Sequence, residues 1–148
     1  MIEYKDDSYL ACFEDWKQII DEHYEELSVT KEYPLDPDFD AYKALWDMGR
    51  LKFISCKNNG KLVGYIIFFV APHIHYKSCL TAQEDIYYLK KEYRKGRVGI
   101  RMFQFAEKVL KDQAVNRVIY NTKIHQDNSS LFEYLGYKLI DKVFTKML

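Results

Sequence analysis

From Val63 to Val70 the chain runs Val-Gly-Tyr-Ile-Ile-Phe-Phe-Val, eight residues without a charge. A strand with one wet face alternates apolar and polar side chains, whereas a run apolar at every position needs cover on both faces. The rest of the chain must therefore supply a layer on each side of a sheet. Leu10, Phe13, Trp16, Ile20, Tyr24 and Leu27 fall at helical spacing, which predicts an amphipathic helix over 8–27. Residues 28–36 read as a loop containing Pro34. Asp36 then reads as an N-cap and Pro37 as the first position of a second helix, marked by Phe39, Tyr42, Leu45 and Trp46 and stopped at Gly49.

After Gly49 the period changes. Leu51 to Lys57 alternates as a strand, and Asn58-Asn59-Gly60 is a hairpin signal. Ala71 to Ser78 reads as a loop and Cys79 to Leu89 as the next strand. A helix starting near Arg97 puts Val98, Met102, Phe105, Ala106 and Val109 on one face, with Arg101, Gln104, Lys108 and Lys111 opposite. Arg117 to Thr122 is a short strand, so this helix makes a right-handed crossover between parallel strands. Asn128 to Tyr134 is a short helix capped by Asp127, and Tyr137 to Met147 is a final extended strand. Met1 to Tyr4 is too short to predict a first strand. The predicted fold class is α/β, a mixed sheet with helices on both faces, in one domain over 1–148. Residues 1–48 supply the first two helices, and 51–148 the sheet and crossover.

Composition narrows the class. With 48% hydrophobic and 16% aromatic residues the chain reads as ordered and globular. Cys12, Cys56 and Cys79 are odd in number, widely spaced and lack a Cys-x-x-Cys, which argues against a disulfide framework or a thiolate zinc site. The acidic N-terminus lacks a signal-peptide pattern and no apolar run approaches the ~18 residues of a membrane span, so the expected location is the cytoplasm. The zero net charge hides a split. Residues 1–48 hold 4 Lys/Arg against 14 Asp/Glu, and residues 49–148 hold 18 against 8. Two readings stand: two surfaces for different partners, or opposite charges paired across the domain. No long Lys/Arg run or nucleic-acid motif occurs, so nucleic acid is not an expected partner.

The chemistry-bearing stretch is Glu84 to Gly99, an apolar strand, then a basic glycine-containing loop, then a helix. Unpaired N–H groups and the dipole at a helix start attract anions, and Arg94, Lys95 and Arg97 add full charges beside Gly96 and Gly99. Arg94 to Gly99 resembles the pyrophosphate loop of the GNAT N-acetyltransferases, Arg/Gln-x-x-Gly-x-Gly/Ala. Arg94 and Gly99 match; Arg97 stands where the middle glycine falls, and Gly96 sits one place earlier. Gly60-Lys61-Leu62-Val63-Gly64-Tyr65, Asp85 and Leu131-Phe132-Glu133-Tyr134-Leu135-Gly136-Tyr137 extend the likeness over 51–148. The compact length and the loop resemble members carried by tailed bacteriophages.

The resemblance implies a GNAT-like fold and an acetyl-coenzyme A-dependent enzyme that moves the acetyl group to a cationic primary amine, on a small molecule or a protein, without a metal. It implies cofactor contacts from Arg94, Lys95, Gly96, Arg97, Val98 and Gly99, from the strand carrying Tyr87 and Leu89, and from Asn128 and Phe132. An ungapped alignment puts His125 in the slot of the family's asparagine; a small gap puts Asn128 there. A lysine-like amine of pKa ~10.4 is protonated at neutral pH, so a carboxylate or a water relay must take a proton. Asp85 is the expected base or water-positioner and Glu84 the second; strand alternation puts Asp85 on the face of Leu89 and Glu84 on the other. His75 and Tyr76, with His73, read as surface loop residues or as lining of the acceptor site, with no ligand set for a metal. Phe132 occupies the place of the family's frequent tyrosine acid, and a phenyl ring donates no proton. Tyr134 lies about 200° round the helix from it. That substitution favours the alternative, a GNAT-fold protein that binds coenzyme A or a host protein without catalysis.

Overall fold

The computed structural model describes residues 1–28 and 31–148. One sheet has the order β1-β2-β3-β4-β5, with β1 Ile2–Asp7, β2 Leu51–Asn58, β3 Lys61–His73, β4 Tyr76–Leu89 and β5 Arg117–Ile119. The first four strands are antiparallel to one another, and β5 lies parallel to β4. The helices are α1 Tyr9–Leu27, α2 Phe39–Asp47, α3 Val98–Asp112 and α4 Ser129–Tyr134.

β3 is the middle strand, and both its faces are buried. Val63, Ile66 and Phe68 pack with Met102, Phe103, Ala106 and Leu110 of α3. Leu62, Tyr65 and Ile67 pack with Tyr9, Cys12, Trp16 and Ile20 of α1. The Trp16 ring meets Tyr9, Phe39, Tyr42, Phe53 and Tyr65, mostly edge-on. Burying one side chain of phenylalanine size contributes roughly 1.5–3 kcal/mol, and edge-to-face pairs add to it. Gly64 answers a close approach: a Cβ there would stand 2.9 Å from the Tyr88 carbonyl oxygen and 2.7 Å from Leu89 Cδ1.

Several expectations change. The chain opens with a strand, β1, paired along β2 from Ile2↔Asn58 to Asp7↔Phe53. As an edge strand it carries Glu3, Lys5 and Asp6 without burying them, so its apolar signal is short. Its last residue, Asp7, is buried, and accepts from Lys57 Nζ at 2.6 Å and Ser55 Oγ at 3.0 Å. Residues 71–78 are mostly strand: β3 and β4 meet at a tight turn over Ile74 and His75. α2 is capped by Asp38 rather than Asp36, its Oδ1 accepting from Ala41 N at 2.9 Å. Asn128 occupies the N-cap of α4, while Asp127 accepts from Ser129 N at 2.9 Å. β5 ends at Ile119, and residues 138–148 form no strand. That segment alternates as a strand should, but β5 offers it only a three-residue edge, and Leu139, Ile140, Val143 and Phe144 stay exposed. Val29 and Thr30, in the predicted 28–36 loop, lie outside the described residues.

Candidate active site

The site is organised by an irregularity in β4. Ile67 pairs with Ile86 and Phe68 with Glu84, so Asp85 is an extra residue, a β-bulge. The bulge breaks the alternation that put Asp85 on the Leu89 face. Leu89 belongs to the α3 side, whereas Asp85 Oδ2 accepts a 2.5 Å hydrogen bond from the hydroxyl of Tyr42, which packs on the α1 side. Burial pushes the Asp85 carboxyl above its ordinary pKa, and the Tyr42 hydrogen bond opposes this. Burial and the Asp85 charge push Tyr42 strongly upward, so its hydroxyl keeps its proton.

Glu84 points the other way and is 6% exposed. Its Oε2 accepts from Asn121 N at 3.0 Å. Burial drives its pKa up to about 7, against the donation from Asn121, with Asp85 adding repulsion. This contact falls where β5 leaves the sheet. Pairing stops at Gln83↔Ile119, and a side chain rather than a strand then receives the Asn121 amide. Beyond that point, among the described residues, β4 has no strand partner on its outer edge, from Glu84 to Leu89. Beside this edge the Tyr87 hydroxyl accepts from Asn128 Nδ2 at 3.1 Å, and Phe132 stands edge-on to Tyr87. Of the two residues considered for the family's asparagine slot, Asn128 is the one hydrogen-bonded to Tyr87. His125 is exposed in the preceding turn. Phe132 is buried and stacks on Tyr120 at 4.9 Å. Tyr134 is 68% exposed and does not replace it.

At the end of β4, Arg94 is not a free charge. Its Nε donates to the Leu89 carbonyl at 2.6 Å, and its two terminal nitrogens hold both carboxylate oxygens of Glu26 on α1. Lys95 and Arg97, in the loop, are both exposed. Gly96 takes φ +74°, a left-handed conformation that costs other residues roughly 1–2 kcal/mol. α3 begins at Val98 with no side-chain cap and no acidic residue in its first turn, and the first amides of a helix have no intrahelical partner. Gly99 lies in that turn, its Cβ position 3.7 Å from Leu89 Cδ2.

On the α1 side of the bulge lies a cavity of about 530 Å³. Its walls include Ile20, Tyr24, Leu27, Leu35, Tyr42 and Ile86. His23 also borders it, with the ring stacked on Tyr88 at 4.7 Å and Nδ1 2.5 Å from the Tyr65 hydroxyl. Burial drives the His23 pKa down to about 4, so the ring is neutral at physiological pH. Sequence reasoning missed both: Tyr42 stood only as a member of a helical stripe, and His23 carried no signal.

The model of the acetyltransferase (GNAT) family matches residues 13–137. The chain belongs to the GNAT acetyltransferase family. No curated protein sequence matches it. Its fold is similar to that of a ribosomal-protein-alanine N-acetyltransferase from Brucella melitensis biovar Abortus 2308, with TM-score 0.77, 13% identity and coverage of 100% of this chain and 98% of the other. It is likewise similar to glucosamine-6-phosphate N-acetyltransferase from Arabidopsis thaliana, with TM-score 0.73, 14% identity and coverage of 99% and 98%. An aminoglycoside acetyltransferase from an uncultured soil metagenomic sample, in complex with sisomicin, gives TM-score 0.73, 13% identity and coverage of 100% and 95%. At these identities the likeness is one of fold.

GNAT acetyltransferases use acetyl-coenzyme A, and the residues of this GNAT chain fit it. The uncapped start of α3, with Lys95 and Arg97 exposed beside it, suits a pyrophosphate. The open edge of β4 suits an amide-bearing arm. His75 and Tyr76 are not brought to this site. They form the β3–β4 hairpin tip, where Tyr76 stacks on His73, roughly 30 Å along the strand from Asp85 at ~3.3 Å per residue. Among the described residues no three His, Cys, Asp or Glu side chains group as a metal site, and no helix is long and apolar enough to cross a membrane.

Proposed function

We propose that the protein transfers the acetyl group of acetyl-coenzyme A to a primary amine by direct attack. The observation that carries this reading is the β4 bulge. It sets Asp85 on the cavity side while Tyr87 and Leu89 of the same strand border the open edge on the other. A thioester laid along that edge and an amine in the cavity would meet at the bulge. In this reading Lys95, Gly96, Arg97, Val98 and Gly99 hold the pyrophosphate, and Arg94 holds the loop. The cavity-lining Tyr42 hydroxyl relays one proton from the ammonium to Asp85. The amine then attacks the carbonyl carbon. A C–N bond forms, the C–S bond breaks, and the second nitrogen proton ends on the departing sulfur. A thiol of pKa near 8.5 leaves without strong acid assistance, which is compatible with Phe132 in place of a tyrosine. Glu84 acts here as a positioning residue through Asn121. Three free thiols fit a reducing cytoplasm.

One observation favours a second reading, binding without transfer: the buried Phe132 offers no proton to a leaving group. Thermal shift and turnover on the same samples test both. Acetyl-coenzyme A at ~100 times its Kd stabilises by about 2.7 kcal/mol, a melting shift of roughly 5–10 °C at this size. Lys95→Glu with Arg97→Glu abolishes the shift, while Arg94 is left in its ion pair. No shift in the wild type overturns the cofactor reading. A full shift without thiol release on any amine supports the non-catalytic one.

A further inference from the structure

The cavity beside the bulge also says what kind of amine it takes. Leu27 and Leu35 are packed against the α1-side core and open onto it, joined by Ile20, Ile86 and the ring of Tyr24. His23 is neutral there, and the Tyr42 hydroxyl is already committed to Asp85. The formal charges lie at the edge: Asp36 and Asp38 are exposed at the rim, with Lys123 exposed among the same bordering residues. The acidity of α1 is directed elsewhere. Glu22 and Glu26 bind Lys90, Tyr88 and Arg94. A polyamine or amino sugar seated here would leave its hydroxyls or second ammonium against hydrocarbon, which costs free energy unless each is paired.

We infer that the acceptor is a primary amine on an apolar or aromatic body, the body against the Leu27, Leu35 and Ile86 walls and the amine toward Tyr42 and Asp85. The inference rests on the transfer reading above and names the substrate class of that site. An apolar-walled cavity of this size lies within the usual range for small-molecule sites, and the two rim carboxylates attract the cation without entering the walls.

The experiment pairs turnover with binding. Thiol release from acetyl-coenzyme A is measured with 2-phenylethylamine, spermidine and glucosamine, and 2-phenylethylamine binding is measured separately by calorimetry. The expected kcat/KM for 2-phenylethylamine exceeds the other two by at least ~10-fold, and Leu35→Ser lowers it ~10–100-fold, the range of hydrophobic-pocket discrimination. Tyr33→Ser at the 63% exposed rim position provides a variant with little folding risk. It should lower the same ratio in the same direction, with melting temperature as the control. Equal or faster turnover of spermidine or glucosamine overturns the inference and leaves acetyl transfer intact. Binding of 2-phenylethylamine without turnover of any amine upholds the pocket's chemistry and overturns the transfer reading. Neither binding nor turnover of 2-phenylethylamine overturns the inference.

Discussion

Glu84 is a carboxyl group whose surroundings set its charge. It is buried, and among the described residues its side chain accepts from Asn121, so burial raises its pKa to about 7 from 4.5. Because the folded pKa lies above the unfolded one, the folded state holds the proton more tightly. Its contribution to stability is complete below about 4.5 and is lost as pH rises through about 7. Glu84→Gln keeps an oxygen for Asn121 and cannot ionise. Melting temperatures of the two proteins should be similar near pH 5. By pH 8 the variant should be ahead by about 1 kcal/mol or more, or roughly 2–4 °C. A gap that does not widen with pH would mean the carboxylate is not held in a dry site. Asp7 has the opposite sign. Burial pushes it up, but Lys57, Cys12 and Ser55 hold it down at about 2, so its contribution is present above the ordinary carboxylate range and lost only in strong acid.

At the scale of elements, the end of α1 reaches furthest across the fold. Glu26 receives Arg94 from the loop after β4, Tyr88 from β4 at 3.2 Å, and Gln126 from the segment after β5 at 3.1 Å. The last turns of α1 also wall the cavity through Tyr24 and Leu27. One carboxylate thus ties the cavity wall to the loop after β4, the two sites proposed for acceptor and cofactor. Glu26→Gln should lower stability by about 1 kcal/mol, the upper range for partly exposed pairs. It should raise the acceptor KM several-fold and shift the acetyl-coenzyme A Kd less. A shift in the acetyl-coenzyme A Kd with the acceptor KM unchanged would place the pair in the cofactor site alone. The sequence made most elements readable, because their apolar period is local. Both cores of β3 follow from its uninterrupted run, and α1 from its stripe. The site was less legible. A bulge depends on two strands in register, so alternation within β4 sent Asp85 to the wrong face. Arg94 looked free because its partner lies 68 positions earlier. Tyr42 looked like an ordinary core residue, since nothing local separates a ring that fills a core from one that borders a cavity, and His23 lay outside the apolar stripe.

Over the whole molecule, the charge split is in part paired across the domain. Among the described residues, Lys52–Asp6, Lys57–Asp7, Lys90–Glu22 and Arg94–Glu26 join the two halves. Glu14, Glu25 and Lys108 pair within their own halves, with Lys17, Lys31 and Asp112, and the excess of each sign stays segregated. Glu14, Asp21 and Glu25 are exposed on α1, which covers one face of the sheet. Arg101, Lys108 and Lys111 are exposed on α3, which covers the other. The molecule is therefore an electric dipole with a formal net charge of zero and a pI near 6.9. Close to neutral pH it should barely migrate in a native gel, yet be retained by both an anion-exchange and a cation-exchange resin in dilute buffer, each holding the opposite face. Retention should vanish at moderate ionic strength as the Debye length shrinks below ~10 Å. Flow-through on both resins in dilute buffer would mean that the two faces are too finely mixed to be told apart from outside.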